Sequence, residues 1–326
     1  MPAIRTVFMG SPEFAVPSLD ALHRDERIEV TLAVTQPDRR AGRGRKLQSP
    51  AVKVASEDRG IPLIQPGSLR EPGIFERLAN ESPDLIVVVS YGELLRKSLL
   101  DLPKHGCLNV HPSLLPRYRG ASPIPAAILA GDAETGVSIM RLTRRMDAGP
   151  ILAQRRSPLD GTETTGALTR RLAEESGLLL PGTITGWVFG EIDELPQHED
   201  DATYTRELRK ADGQVDWREP AVQIERFVRA MNPWPMAWTT LAGERLTIHS
   251  VRVGSDAHRS ERPGAIELEQ EMVRVQTGDG IIDLERIQPA GKKPLSALDW
   301  ARGARLESAP AFDLPEEQRP PLIFTR

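Results

Sequence analysis

The run Leu85, Ile86, Val87, Val88, Val89 is apolar at five consecutive positions. Successive side chains of a strand point to opposite faces, so a strand wetted on one side carries a polar residue at every second position. Unbroken apolarity requires cover on both faces, which is the setting of a largely parallel sheet in an α/β layer. This run is therefore expected to be a central strand. Apolar runs at 7–9, 28–34 and 107–110 supply its neighbours, and helix-like stretches at 13–22 and 74–79 supply crossovers. Strand-like runs at 136–142 and 150–156 follow, and a long helix is expected over 164–187.

After position 190 the pattern changes. Residues 191–217 are polar and charged with little periodicity, which reads as a connector. An amphipathic helix over 221–230 then precedes alternating segments at 245–253, 272–277 and 281–287. These are broken by Gly243, Gly264, Gly278 and Gly280, the pattern of a small antiparallel barrel. The chain thus divides into an α/β, Rossmann-like domain over 1–190, a connector over 191–212 and a β barrel domain over 213–326. A proline-rich tail at 315–321 is expected to lie on the surface.

With 326 residues, 39% of them hydrophobic, the chain has material for two cores. A formal net charge of -4 gives no global basic field, so any contact with nucleic acid must come from a local cluster. The single cysteine, Cys107, cannot form an internal disulfide and reads as a small buried residue beside an apolar strand. No apolar stretch resembling a signal peptide opens the chain, so a cytoplasmic protein without membrane association is expected.

Asn109 and His111 stand two positions apart, so an extended segment projects both from one side. A proline-studded loop follows, from Pro112 to Pro123, and can border a small-molecule cleft. Asp147, within Arg145, Met146, Asp147, Ala148, Gly149, Pro150, falls on a turn between two strands. Singly, each has a structural explanation: Asn and Asp serve turns, and a His before Pro is often structural. As an ordered set they make an active-site arrangement without a metal or a nucleophile. His23, His105, His198, His249 and His258 are scattered without ligand spacing, so no metal is expected. Ser11 and Ser113 lack the Gly-x-Ser-x-Gly elbow, and the turn Gly10, Ser11, Pro12 lacks the dinucleotide fingerprint.

A second cluster lies between Asp38 and Lys46, where Arg39, Arg40, Arg43, Arg45 and Lys46 meet one acid among glycines. Such a loop suits phosphate contact or is simply a solvated face.

Asn109, His111 and Asp147, with the loop between them, resemble the signature of the folate-dependent formyltransferases. The similarity runs from Val7, Phe8, Met9, Gly10, Ser11, Pro12 to Pro289, Ala290, Gly291, Lys292, Lys293. Over nearly the whole length it is to the branch that acts on methionyl-tRNA. It implies a C-terminal barrel of the OB type and 10-formyltetrahydrofolate as formyl donor. The pterin would sit between walls at 88–92, with Val89 and Tyr91, and at 142–147, while Ser113, Leu114, Leu115 and Pro116 line the folate loop. The basic cluster would enter the acceptor arm of initiator methionyl-tRNA, with Arg43 on the terminal nucleotides. No obligate protein partner is implied.

Formyl transfer to an amine, here as a step supporting translation initiation, passes through a tetrahedral oxyanion. On this resemblance Asn109 donates to that oxygen. His111 supplies a second donor or shuttles a proton, and Asp147 orients the imidazole or accepts the amine's proton. Which of the two takes the proton is left open. Two positions depart from the family pattern: Pro112 replaces a glycine after the histidine, and Arg145 replaces one two before the aspartate. Pro112 biases His111 to extended geometry, and Arg145 is either near the folate tail or solvated. Rival readings are transfer to a small amine, such as glycinamide ribonucleotide or an amino sugar nucleotide, and an RNA-binding protein on an old catalytic fold. The basic cluster argues against the first small acceptor, and the intact trio against the binding protein.

Overall fold

The computed structural model describes residues 2–41, 46–255, 262–269, 271–304, 310–317 and 319–325, and only the main chain of Ala41 and Lys46. The chain begins with β1 (Ile4–Gly10), α1 (Val16–Arg24) and β2 (Ile28–Val34). A hairpin of β3 (Arg39–Ala41) and β4 (Lys46–Gln48) follows, then α2 (Ala51–Asp58), β5 (Leu63–Ile64) and α3 (Ile74–Asn80). Next come β6 (Leu85–Val89), α4 (Lys97–Leu100), β7 (Cys107–His111), β8 (Arg119–Gly120) and α5 (Pro123–Ala130). β9 (Glu134–Arg141), β10 (Ile151–Pro158) and α6 (Thr165–Val188) complete the N-terminal domain.

Seven strands form one sheet in the order β10-β9-β7-β6-β1-β2-β5. The five from β7 to β5 are parallel, whereas β9 runs antiparallel to both β7 and β10. The apolar run is β6, at the middle of the sheet. Val87 and Val89 join Leu19, Leu22, Leu168 and Leu172 in the core on one face, while Ile86 and Val88 join Leu78 and Leu99 on the other. Burying each such side chain is worth roughly 1.5–3 kcal/mol, so two-sided cover holds this strand firmly. Cys107 is buried, its thiol pushed up to about 12 by desolvation, and inert.

The second half contains β11 (Tyr204–Thr205), α7 (Ala221–Ala230), β12 (Ala237–Leu241) and β13 (Glu244–Val253). β14 (Ile266–Glu269), β15 (Met272–Gln276), β16 (Ile281–Pro289), β17 (Leu295–Ser296), α8 (Ala297–Gly303) and β18 (Ile323–Phe324) follow. An antiparallel sheet runs β12-β13-β16-β15-β14. Its two edges are joined by an extended segment at 310–313: the Ile266 N–H donates to the Pro310 carbonyl at 2.9 Å, and the Asp313 N–H to that of Thr240 at 2.9 Å. Phe312 from this segment stacks between Trp217 and Trp300, with ring centroids 5.2 and 6.1 Å away. Closure therefore uses a segment with no strand periodicity.

The polar stretch after α6 does more than connect. Leu195 bridges to Ile151, and β11 pairs in parallel with β8 and antiparallel with β18. The proline-rich tail is mostly at the surface as expected, yet it is tied at its far end. The Arg206 guanidinium donates to the Pro320 and Pro321 carbonyls, Leu322 is buried, and β18 completes a three-stranded sheet that reaches the loop after β7. Among the described residues no helix is long and apolar enough to cross a membrane.

Candidate active site

The parallel strands end on a common edge. Gly10 of β1 pairs with Val89 of β6, and Val88 with Asn109 of β7. Open α/β sheets bind ligands at this carboxyl edge. Asn109 and His111 share a face with Cys107, Val88 and Tyr91, as their spacing requires. The Asn109 amide is half-buried and makes no hydrogen bond to the protein among the described residues. Its donors are free for another partner.

His111 is buried, and its Nε2 lies 2.9 Å from the Tyr118 carbonyl oxygen. A carbonyl only accepts, so Nε2 carries the hydrogen in the neutral ring and Nδ1 presents its lone pair. Nδ1 lies 3.8 Å from Asp147 Oδ2, too far for a hydrogen bond but close enough for charge pairing once the ring is protonated. Pro112 forms the bend after His111, where the Ser113 N–H donates back to the His111 carbonyl at 2.9 Å.

Asp147 sits on the loop between β9 and β10 with φ +48°, in the left-handed region. Its Oδ2 accepts from the Gly120 N–H at 2.8 Å. Tyr118 at φ +59° and Ser90 at φ +50° share that conformation around the site, and each such residue costs roughly 1–3 kcal/mol unless its surroundings hold it. Gly120 has φ +102°, and a Cβ there would stand 2.3 Å from the Thr205 carbonyl oxygen. At Gly149 a Cβ would meet the Arg141 carbonyl oxygen at 1.8 Å, so only glycine lets the Asp147 loop return to the sheet.

Arg145 is exposed and ion-paired with Glu199, which also pairs with the buried Arg119. Arg119 first, and Arg145 second, hold the Glu199 carboxyl below the usual range. Arg145 is thus a tether for the loop. The Tyr118 phenol donates to Asp132 at 2.7 Å and is pushed up by burial and by that carboxylate.

The donor-site candidates separate. Ser113 is fully buried, its Oγ donating to the Arg117 carbonyl at 2.6 Å, and Leu115 packs with Met140 and Ile151. Leu114, Leu115 and Pro116 line a cleft of about 380 Å³ with Tyr118 and Gln154, and its walls include none of Asn109, His111 and Asp147. The Val89 side chain enters the core on the face opposite Asn109 and His111, so the structure does not bring it to them; Val88 occupies that side instead. Tyr91 lies on the face of Asn109 and His111, buried, with no hydrogen-bond partner for its hydroxyl among the described residues and its phenol pushed up to about 12 by desolvation.

The basic cluster, read as a flexible loop, has paired arms: Arg39 faces Gln48 and Arg40 faces Leu47. Arg39 and Arg40 are exposed, the side chain of Lys46 is not described, and Arg43 and Arg45 lie outside the described residues. At the root Asp38 binds Lys53 at 2.8 Å and Gln65 at 2.8 Å, with Lys53 the larger cause of its lowered carboxyl value. A cleft of about 850 Å³ runs from Arg39 and Gln48 to Ser11 and Pro12 at the end of β1.

The formyl transferase family profile matches residues 4–184, and that of the formyl transferase C-terminal domain matches 207–305. The chain belongs to the formyl transferase family. It is 49% identical over 304 residues to the methionyl-tRNA formyltransferase of Roseiflexus castenholzii, covering 93% of this chain and 97% of that one. It is 42% identical over 302 residues to that of Herpetosiphon aurantiacus, covering 93% and 98%. A sugar 3N-formyl transferase, WlaRD, shares the fold with a TM-score of 0.65 at 16% identity, over 90% of this chain and all of the other. HypX of Aquifex aeolicus, solved with tetrahydrofolic acid, shares it at 0.60 and 17% identity, over 92% of this chain and 47% of its own.

Within this formyl transferase the sequence does not reveal the groups that hold His111 and Asp147: the Tyr118 carbonyl, the Gly120 N–H, and the Arg119 and Gln197 side chains. Two act through the main chain and carry no side-chain signature. Gln197 lies in the aperiodic stretch, where only its contacts distinguish it.

Proposed function

We propose that this formyl transferase moves the formyl group of 10-formyltetrahydrofolate to the amino group of methionine esterified to initiator tRNA. The observation that carries this reading is similarity over 93% of the chain, across both domains, to relatives named methionyl-tRNA formyltransferase. The domains are assigned as catalytic over 1–190, connector over 191–212 and barrel over 213–326. A substrate made and used in translation is consistent with a cytoplasmic enzyme.

The free amide of Asn109 suits it to receive the oxyanion when the amine attacks the formyl carbon. Such a donor is worth about 2.7–4 kcal/mol of barrier. With Nε2 committed to the Tyr118 carbonyl, His111 Nδ1 is the acceptor for the amine's proton. Asp147 then faces the imidazolium and stabilises it. Transfer to the leaving nitrogen of the donor is completed by the same imidazole. The folate donor would lie against the carboxyl edge, where Tyr91 shares the face of Asn109 and His111; Leu114, Leu115 and Pro116 line a cleft whose walls include none of the trio, and Ser113 and Val89 support the loop and strand. Arg39 and Arg40, with Arg43, Arg45 and Lys46, would contact tRNA phosphates.

The test is formyl transfer from 10-formyltetrahydrofolate to methionyl-tRNA, beside uncharged tRNA and glycinamide ribonucleotide. Formylation of the charged tRNA alone is expected. Transfer to the small amine alone would overturn the acceptor, and no transfer would overturn the activity.

A further inference from the structure

We propose that Gln197 is a positioning residue for Asp147, joined through Arg119 into a clamp that fixes both the main chain and the carboxylate of that aspartate. The proposal rests on the assignment of Asp147 to the reaction.

Asp147 holds a left-handed φ of +48° on a loop, a conformation an L-residue leaves unless something retains it. The Gln197 Nε2 amide donates to the Asp147 carbonyl at 2.8 Å and to the Gly149 carbonyl at 2.6 Å, so one side-chain NH2 ties both ends of the turn. Its Oε1 accepts from Arg119 Nε at 3.0 Å, which fixes the orientation of the amide. Arg119 is itself 1% exposed and paired with Glu199 and with the Tyr204 hydroxyl. The next residue, Gly120, gives its N–H to Asp147 Oδ2. β8 therefore holds the carboxylate directly and the main chain through Gln197.

Exchange of the amide for other groups separates positioning from bulk stability. Gln197 is only partly buried, so Gln197→Ala should still fold, with a melting temperature lower by a few degrees because Arg119 Nε and two carbonyls lose their partner. Released from its tie, the loop shifts Asp147 from Nδ1 of His111, and a misplacement of about 1 Å costs on the order of 100-fold. The expected result is a kcat lower by about 10- to 100-fold with KM for folate and for methionyl-tRNA nearly unchanged. Gln197→Glu turns two carbonyl oxygens toward a carboxylate that cannot donate. Its protonated form restores one donor, so its activity relative to the wild type should climb as pH falls from about 8 to 5.

Steady-state formylation kinetics and thermal melts of the full enzyme decide the matter, with Asp147→Ala run alongside. A kcat for Gln197→Ala within about twofold of wild type, or a Gln197→Glu pH profile parallel to the wild-type one, overturns the proposal while Asp147→Ala remains inactive. Normal turnover by Asp147→Ala would instead overturn the assignment of the aspartate.

Discussion

Asn109 and His111 are placed by a strand, whereas Asp147, which faces the His111 ring, is placed by a loop. β7 lies between β6 and β9, and its positions alternate between core and site as a consequence of burying Leu108 and Val110. The same burial that folds the domain aims the amide and the imidazole. Asp147 has no such support: its conformation depends on hydrogen bonds from Gly120 and Gln197, 27 and 50 positions away. Hydrophobic cores thus give precision along a strand, while a loop needs its own polar scaffold, itself anchored through β8 and β11.

The contrast is sharpest if the strand side is altered without touching its framework. Asn109→Ala removes an uncommitted, half-buried amide, so folding should be unaffected while turnover at saturating donor falls by about 100- to 1,000-fold. Rapid-quench formylation with a thermal melt checks it. Turnover near wild type would remove the amide from the oxyanion role.

On the loop side stability and activity should fail together. Gly120→Ala drives a Cβ to 2.3 Å from the Thr205 carbonyl at φ +102°, which the backbone cannot accept without moving the N–H that binds Asp147. About 1–3 kcal/mol of stability should be lost, a melting temperature lower by several degrees, together with about a tenfold loss of kcat. A melt and a kinetic run on the same preparation test the linkage. Lost stability with intact kcat would show that the carboxylate is oriented without β8.

This division also explains what could be read from the chain. The unbroken apolar run, the two-residue spacing of Asn109 and His111, and the alternation after 245 each express a backbone period, so they were legible. Closure of the barrel by 310–313, the pairing of β18 with β11, and the hold of Gln197 on Asp147 have no period. They join residues far apart in sequence through main-chain groups or single amides. Val89 shows the limit within a regular element: alternation along β6 puts Val88, one position earlier, on the face of Asn109 and turns Val89 to the other.

The smallest effect is expected farthest from the chemistry, on the hairpin. Arg39 and Arg40 are exposed, and among the described residues Arg39 donates to the Gln36 side-chain oxygen at 2.9 Å. Below them Asp38, Lys53 and Gln65 form a root whose hydrogen bonds involve neither arginine. Exposed arginines on phosphates add affinity through released counterions, and each lost contact lowers the slope of log affinity against log salt by about 1. Replacing both by alanine should raise KM for methionyl-tRNA a few-fold at physiological salt and flatten the salt dependence, leaving kcat and KM for the folate donor unchanged. Titration of formylation rates between low and physiological salt measures both quantities. An unchanged slope would confine any tRNA contact to the rest of the hairpin or to the barrel, and a fall in kcat would mean that the hairpin orients the methionyl end.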